Sequence, residues 1–254
     1  MKIIEVTSEN VDKKGFFCKM SDRKCPGYQQ KLKWLQERFK EGMCIKMLDL
    51  EEGGRGYIEY IPGKYAWRPI KAKEYMAIHC LWVVGKSKGN GYARQLLREC
   101  EKDAQKQGLA GVVAVTSEKP WLAEKAFFEK HGYEVVDKAP PSFSLMVKKF
   151  DKSAAEPKFS GDWETKQRKH PDGITVFRSS QCPYIDDAVI HVRESAEKLG
   201  LLFKVVELES AKDIRDKSPS AYGTFGIVYK GKLLSYYYVL PKDFSKLIKE
   251  MEDN

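Results

Sequence analysis

The chain has 254 residues, of which 42% are hydrophobic, 12% aromatic and 32% charged, a composition that can bury cores and excludes collagen-like and intrinsically disordered chains. At roughly 100–200 residues per domain, this length predicts two modest domains. The formal net charge is +9, and because residues 151–254 carry 17 basic and 17 acidic side chains, the whole excess falls in residues 1–150, which are expected to meet negative charge.

The first residues, MKIIEVTSEN, lack the apolar core of a secretory signal, and no stretch approaches the roughly 18 apolar residues of a membrane span, so a cytoplasmic location is expected. Six scattered cysteines (Cys18, Cys25, Cys44, Cys80, Cys100 and Cys182) fit reduced thiols in a chain long enough to fold without staples. Cys18 and Cys25 lie nearest in sequence, with no histidine close by, so no metal is expected.

In chain order, Tyr28, Leu32, Leu35 and Phe39 recur at helical spacing, and that helix closes at Gly42. Residues 43–50 and 56–61 read as strands around the turn EEGGRG, and 75–84 as a longer, largely apolar strand. A helix follows over 90–107, with Leu96, Leu97, Cys100 and Ala104 on its inner face. Next come a buried strand at 111–116, a helix over 120–131 with Pro120 in its first turn, and strands near 133–136 and 142–147. The class is mixed α/β with a crowded antiparallel start. Residues 151–172 are polar, interrupted by Pro157 and Gly161, and read as a linker between domains at 1–150 and 173–254. The second domain begins with the strand GITVFRSS and a helix with Val189, Val192, Ala196 and Leu199 inward. The strand LLFKVVEL, a polar helical stretch to Lys217, the strands TFGIVYKG and KLLSYYYVL, and the closing helix PKDFSKLIKEME complete it.

The junction after the long strand carries the chemistry. Gly85, Gly89 and Gly91 in GKSKGNGYARQLL let the backbone turn sharply and approach a ligand, and the helix that follows offers unpartnered amides at the positive end of its dipole. Lys86, Lys88 and Arg94 add positive charge, so the junction reads as an anion site for a pyrophosphate. A Walker loop fails, because no Gly-Lys-Ser/Thr ends the pattern. A dinucleotide fingerprint fails too, because Asp103, the acidic residue at about the right distance, lies inside the following helix.

Lys88-Gly89-Asn90-Gly91-Tyr92-Ala93, followed by Leu96 and Leu97, resembles the acetyl-CoA signature of the GNAT N-acetyltransferases, Arg/Gln-x-x-Gly-x-Gly/Ala. Lys88 in place of Arg or Gln keeps charge but loses planar bidentate bonding. Ala126-Phe127-Phe128-Glu129-Lys130-His131-Gly132-Tyr133 is similar to the family's late A-x-x-Tyr-x-x-x-Gly-Phe segment. The resemblance covers about residues 1–150 and implies the GNAT fold, a mixed, mostly antiparallel sheet flanked by helices, with acetyl-CoA as cosubstrate and no metal. It also implies roles for particular residues. The amides of Gly89, Asn90, Gly91, Tyr92 and Ala93, beside Lys88, would hold the pyrophosphate. The backbone of Trp82, Val83 and Val84 would pair with the pantetheine arm, and an amine would attack the thioester directly.

Such transfer needs a base for the ammonium and an acid for the leaving thiolate. Side-chain alternation counted from Val83 puts His79, Ala77 and Tyr75 on one strand face, which makes His79 the first candidate base, with a core histidine as the alternative. Glu59, acidic in the apolar strand YIEYIPG, is the second, with a buried ion pair to Arg68 as the alternative. The family's acid is a tyrosine at the position of Phe128, so Tyr133, Cys80 or water is left for that role, and a noncatalytic CoA-binding sensor is the rival function. Tyr65, Trp67 and Arg68 are candidates to line the acceptor cleft. The acceptor is expected to be a small-molecule or peptide amine; nucleic acid is not an expected partner, because the basic half lacks an aromatic-basic RNA motif. The second domain resembles thioredoxin-like folds, and the whole chain the YoaP family of acetyltransferases. Cys182, at the expected helix start in Cys182-Pro183-Tyr184-Ile185, is a candidate reactive thiol without the second cysteine of CxxC, and Tyr222-Gly223-Thr224 stands where those folds carry a cis-proline.

Overall fold

Residues 2–49, 55–119 and 121–253 are described by the computed structural model. The chain divides into one unit of Met1–Arg23, Leu32–Ala66 and Ile70–Phe159 and another of Lys24–Lys31, Trp67–Pro69 and Ser160–Asn254. The elements run β1 (Lys2–Val6), α1 (Val11–Lys14), α2 (Pro26–Lys40), β2 (Cys44–Asp49), β3 (Arg55–Pro62), β4 (Ile70–Lys71), β5 (Tyr75–Val84), α3 (Tyr92–Lys106), β6 (Gly111–Thr116), α4 (Lys125–Glu129), β7 (Glu134–Ala139), β8 (Phe143–Lys149) and β9 (Lys158–Phe159).

Seven of these strands form one sheet in the order β1-β2-β3-β5-β6-β8-β7. Its pairings are antiparallel except β5 with β6, which run parallel. A parallel pair needs a crossover, and α3 supplies it. Helix α3 buries Leu96, Leu97, Cys100 and Ala104, the face its sequence spacing marks, against Met76, Ile78 and Leu81 of β5 and Val112 and Ala114 of β6. Burial raises the Cys100 thiol well above its ordinary value, which makes it an inert core residue.

The same helix is tied to the sheet by a polar cluster. Lys46 of β2 reaches Asp103 of α3 at 2.8 Å and Glu99 at 3.4 Å, and the hydroxyl of Tyr60 on β3 donates to Asp103 at 2.6 Å. Burial works to raise the Asp103 carboxyl, but its hydrogen bonds from Lys46 and Tyr60 outweigh it and leave the group below its usual range.

In the second unit, α5 (Trp163–Arg168), β10 (Ile174–Arg178), α6 (Ile185–Lys198), β11 (Phe203–Glu207), α7 (Ala211–Lys217), β12 (Phe225–Tyr229), β13 (Lys232–Ser235) and α8 (Pro241–Glu252) follow in order. The sheet order is β11-β10-β12-β13, with β10 and β11 parallel and the other pairs antiparallel. Lys230 and Gly231 both have positive φ (45° and 77°), as a two-residue hairpin turn requires.

Several elements differ from the sequence expectation. Strand β1 was not expected. Helix α3 starts at Tyr92, because Gly91 takes a left-handed conformation (φ 74°) and caps it. Helix α4 is short: Pro120 lies outside the described residues, and Trp121 has φ 81°, which a right-handed helix cannot continue through. The turn at 51–54 and Leu50 also lie outside them. Residues 151–172 carry β9, paired with β4, and α5. Strand β13 stops at Ser235, whose hydroxyl accepts from the Tyr237 amide and donates to its carbonyl, folding the chain out of the ladder.

Because the folded-state carboxyl of Asp103 is held below its unfolded value, its contribution to stability is present above the ordinary aspartate range, near about pH 4, and is lost as pH falls through the lower folded value. Asp103→Asn is expected to lower stability at neutral pH and to flatten the acid limb of a denaturation-against-pH curve; an acid limb unchanged by the substitution would contradict this.

Candidate active site on the bulged strand and its loop

Strand β5 runs into a single turn, Gly85–Ser87, and then through Lys88 to Gly91 into α3. Three features shape this loop. Gly85, Gly89 and Gly91 have φ of 58°, 80° and 74°, and a Cβ added to any of them would meet nothing within 4 Å, so backbone conformation demands glycine and the space in front is open. Asn90 holds the turn from within, donating from Nδ2 to the carbonyls of Lys86 (2.9 Å) and Lys88 (3.3 Å). Ser87, buried, anchors it to β3 by accepting from the Arg55 amide at 3.0 Å. No side chain caps α3, so the first amides of the helix face the open side of the loop. The side chains of Lys86, Lys88 and Arg94 are exposed around it. The arrangement can bind an anion through backbone donors and the helix dipole.

Strand β5 itself has two irregularities. Its parallel pairing with β6 extends only from Tyr75↔Gly111 to Ile78↔Ala114, although β5 continues to Val84 and β6 continues, paired with β8, to Thr116. Beyond Ile78 the strands splay, and Leu81–Val84 keep a ladder partner only on the β3 side, opposite Arg55–Ile58. The narrow cavity of about 10 Å³ in this wedge, room for about one water, is lined by Ile78–Leu81, Ala114, Val115, Trp121–Ala123 and Phe128.

The second irregularity is a bulge. Glu59 faces Cys80 and Tyr60 faces Ile78, so His79 is the extra residue of β5. The bulge corrects the alternation assumed from sequence. Met76, Ile78, Leu81 and Val83 pack towards α3, so Val83 and His79 lie on opposite faces even though both are odd-numbered. Tyr75, Ala77 and His79 do share a face, and Glu59 joins them from β3: His79 Nδ1 lies 3.4 Å from Glu59 Oε1, both side chains almost wholly buried. The ring of Trp34 on α2 lies 6.4 Å from the imidazole. The two candidate bases thus form one pair.

Tyr57, two residues before Glu59 and buried on the same strand face, has Phe17 stacked on its ring at 4.4 Å, and the Cys18 thiol lies 3.5 Å from its hydroxyl. Burial above all, with the neighbouring thiols of Cys18 and Cys80, holds that phenol well above its usual range, hence protonated. Nothing in the sequence marks Tyr57, because its role depends on which residues the bulge turns towards it.

Of the candidates for a proton donor, Cys80 lines the wedge and is half-buried. Tyr133 does not line it. Its hydroxyl donates to Glu101 at 3.2 Å, and Glu101 also holds Lys148 at 3.1 Å. Phe128 is buried in the core, edge-on to Tyr133 at 5.2 Å, with its ring on the wedge wall. Tyr65 is half-buried under Lys64 in the first unit, whereas Trp67 and Arg68 are buried in the second, where Arg68 donates to the Tyr222 carbonyl and lies over its ring at 4.9 Å. Cys182, also in the second unit, is half-buried three residues before α6, whose first turn carries Asp186 and Asp187. Two carboxylates in that turn oppose the stabilisation a helix start gives a thiolate.

A larger open groove of about 690 Å³, with no counterpart in the sequence reading, lies where β6, the β7–β8 hairpin and the start of α4 meet, lined by Ser117, Glu118, Glu124, Lys125, Lys138 and Ser142 among others. Among the described residues, no group of three or more His, Cys, Asp or Glu could hold a metal ion, and no helix is long and apolar enough to cross a membrane.

The acetyltransferase (GNAT) family matches residues 14–133. A Bacillus subtilis (strain 168) protein described as "Uncharacterized N-acetyltransferase YoaP" is 33% identical, over 99% of this chain and 100% of its own. Among solved structures, a ribosomal-protein-alanine N-acetyltransferase from Brucella melitensis aligns with 59% of this chain and 100% of its own at 17% identity and TM-score 0.45. A PaiA N-acetyltransferase from Thermoplasma acidophilum, in complex with coenzyme A, aligns with 59% and 100% at 15% identity and TM-score 0.40.

Since Gly91 is left-handed and unhindered, Gly91→Ala is expected to cost about 1–2 kcal/mol of stability from backbone strain alone, read by chemical denaturation. A neutral or stabilising substitution would show that the loop does not need this conformation.

Proposed function

Because this chain belongs to the acetyltransferase (GNAT) family, we propose that it transfers the acetyl group of acetyl-CoA to a primary amine by direct attack, with no covalent enzyme intermediate. GNAT enzymes use acetyl-CoA as cosubstrate. The observation that carries the reading for these residues is the continuity of β5: one strand holds the splayed edge, the bulge with His79 and the glycine loop in immediate succession.

In this reading the amides of Gly89, Asn90, Gly91, Tyr92 and Ala93, with Lys88 beside them, bind the pyrophosphate, and the edge of Trp82, Val83 and Val84 pairs with the pantetheine arm. The carboxylate of Glu59 orients the imidazole of His79, and this pair accepts the proton that makes the incoming ammonium a nucleophile. The amine then attacks the thioester carbon, the oxyanion collapses, and the C–S bond breaks to release CoA thiolate. Cys80, lining the wedge on the same face as the protonated Tyr57, delivers a proton to that thiolate in place of the tyrosine that Phe128 replaces. The acceptor is a small-molecule or peptide amine. The second unit is read as a thioredoxin-like domain over 173–254 following 151–172, on the support of its β11-β10-β12-β13 order with one parallel pair. Cys182 is its candidate reactive thiol.

Phe128 favours one rival, a CoA-binding sensor without turnover. Two measurements separate the readings. Calorimetry with acetyl-CoA is expected to give binding that Gly91→Asp abolishes, by placing a carboxylate against the pyrophosphate; no binding, or binding indifferent to that change, contradicts the site. Thiol release with a panel of amines is expected to give turnover, with Glu59→Gln lowering kcat by about 10²–10⁴-fold at little change in acetyl-CoA affinity. Binding without thiol release from any amine supports the sensor instead.

A further inference from the structure

Outside the acid–base pair, the molecule contains a second cluster of reactive side chains that the transfer reaction does not need in full. Cys18 and Cys80 are 62 positions apart in sequence, yet both lie by Tyr57: Cys18 Sγ is 3.5 Å from Tyr57 Oη, and Cys80, opposite Glu59 in the β3–β5 ladder, stands on the face of that ladder from which Tyr57 projects. Both cysteines are half-buried, so both combine proximity with access from solvent.

The segment carrying Cys18 is held there against its own backbone preference. Phe17 and Lys19, on either side of it, have φ of 83° and 50°, in the left-handed region that bulky residues avoid. Residues persist in that region when their surroundings over-determine them. The restraints are visible: Phe17 stacks on Tyr57 at 4.4 Å, the Arg55 guanidinium lies over the Phe17 ring at 4.9 Å, and Arg55 Nη2 donates to the Phe17 carbonyl at 2.7 Å. These three contacts set the Cys18 thiol beside the Tyr57 hydroxyl. A cysteine kept only as a small apolar residue needs no such arrangement.

We propose that Cys18 and Cys80 are a redox pair that forms a disulfide under oxidation by a peroxide. One thiolate attacks a peroxide oxygen, breaking the O–O bond to give a sulfenic acid and one water. The second thiolate then attacks the sulfenic sulfur, forming the S–S bond and releasing a second water. Two thiols are oxidised by two electrons and hydrogen peroxide is reduced to two waters, so the step balances. A disulfide brings the sulfurs to about 2.05 Å, so the two side chains must close on each other past the Tyr57 hydroxyl. The bond would pin the segment around Cys18 onto β5 at the bulge and remove the Cys80 thiol. The consequence for turnover rests on the acetyl-transfer reading above; the disulfide itself does not.

The experiment uses the full chain. Protein exposed to hydrogen peroxide is alkylated and digested with trypsin without reduction, and the linked peptides 15–19 and 74–86 are sought by mass spectrometry. The expected result is that linked pair, absent after dithiothreitol, together with a loss of thiol-releasing activity that dithiothreitol restores. Cys18→Ser is expected to retain basal activity, to lose the linked pair and to lose the reversible part of the inactivation, while Cys25→Ser behaves as the parent. No linked pair in oxidised parent protein, a read-out that needs no variant, overturns the proposal, as does reversible inactivation that Cys18→Ser leaves unchanged. A linked pair in a protein that does not bind acetyl-CoA would sustain this proposal while the acetyl-transfer reading fails.

Discussion

The structure turns on the way β5 leaves β6. For four residue pairs the two strands run side by side, and then the parallel ladder ends while both strands continue. An unpaired strand edge inside a sheet is costly unless something satisfies its amides and carbonyls. Among the described residues no strand fills this gap; α3 connects the two strands, and Trp121–Ala123 line the small cavity in the wedge. In the proposed reading this edge meets the pantetheine arm, whose amides can pair like a strand.

The bulge at His79 follows from the same constraint. One extra residue on β5 turns Cys80 towards Tyr57 and sets His79 beside Glu59, while Leu81 and Val83 resume contact with the core. Without the insertion, residues 81 and 83 would point away from α3 and the hydrophobic contacts of Leu96 and Leu97 would lose their partners. Core packing and site geometry thus depend on a single residue of register. The polar tie of Lys46, Tyr60 and Asp103 fixes α3 to the sheet at its far end, so that the first turn of α3, with its free amides, keeps its position relative to the end of β5.

Much of this was legible in sequence, and what was not has identifiable causes. The helix of α3 and the long apolar strand of β5 could be read because each has a sustained period, and the loop because glycines at 85, 89 and 91 sit between them. The pairing of Glu59 with His79 could not be deduced, since alternation assumes a regular strand and a bulge leaves no mark in the residue pattern. Tyr57 went unremarked because its neighbours Phe17 and Cys18 reach it only through tertiary contact. The short α4 was overestimated because Trp121 adopts a left-handed backbone that its sequence does not signal. The +9 excess of residues 1–150 is met at the loop by the exposed Lys86, Lys88 and Arg94, which supply only part of it.

Amide hydrogen exchange with and without CoA addresses the splayed edge directly. If residues 81–84 are the strand edge on which the pantetheine arm pairs, their exchange should slow on binding together with that of 89–93, while β10 and β12 are unaffected. CoA that binds yet leaves the exchange of 81–84 unchanged would show that the edge serves another purpose, and the account built on it would fail.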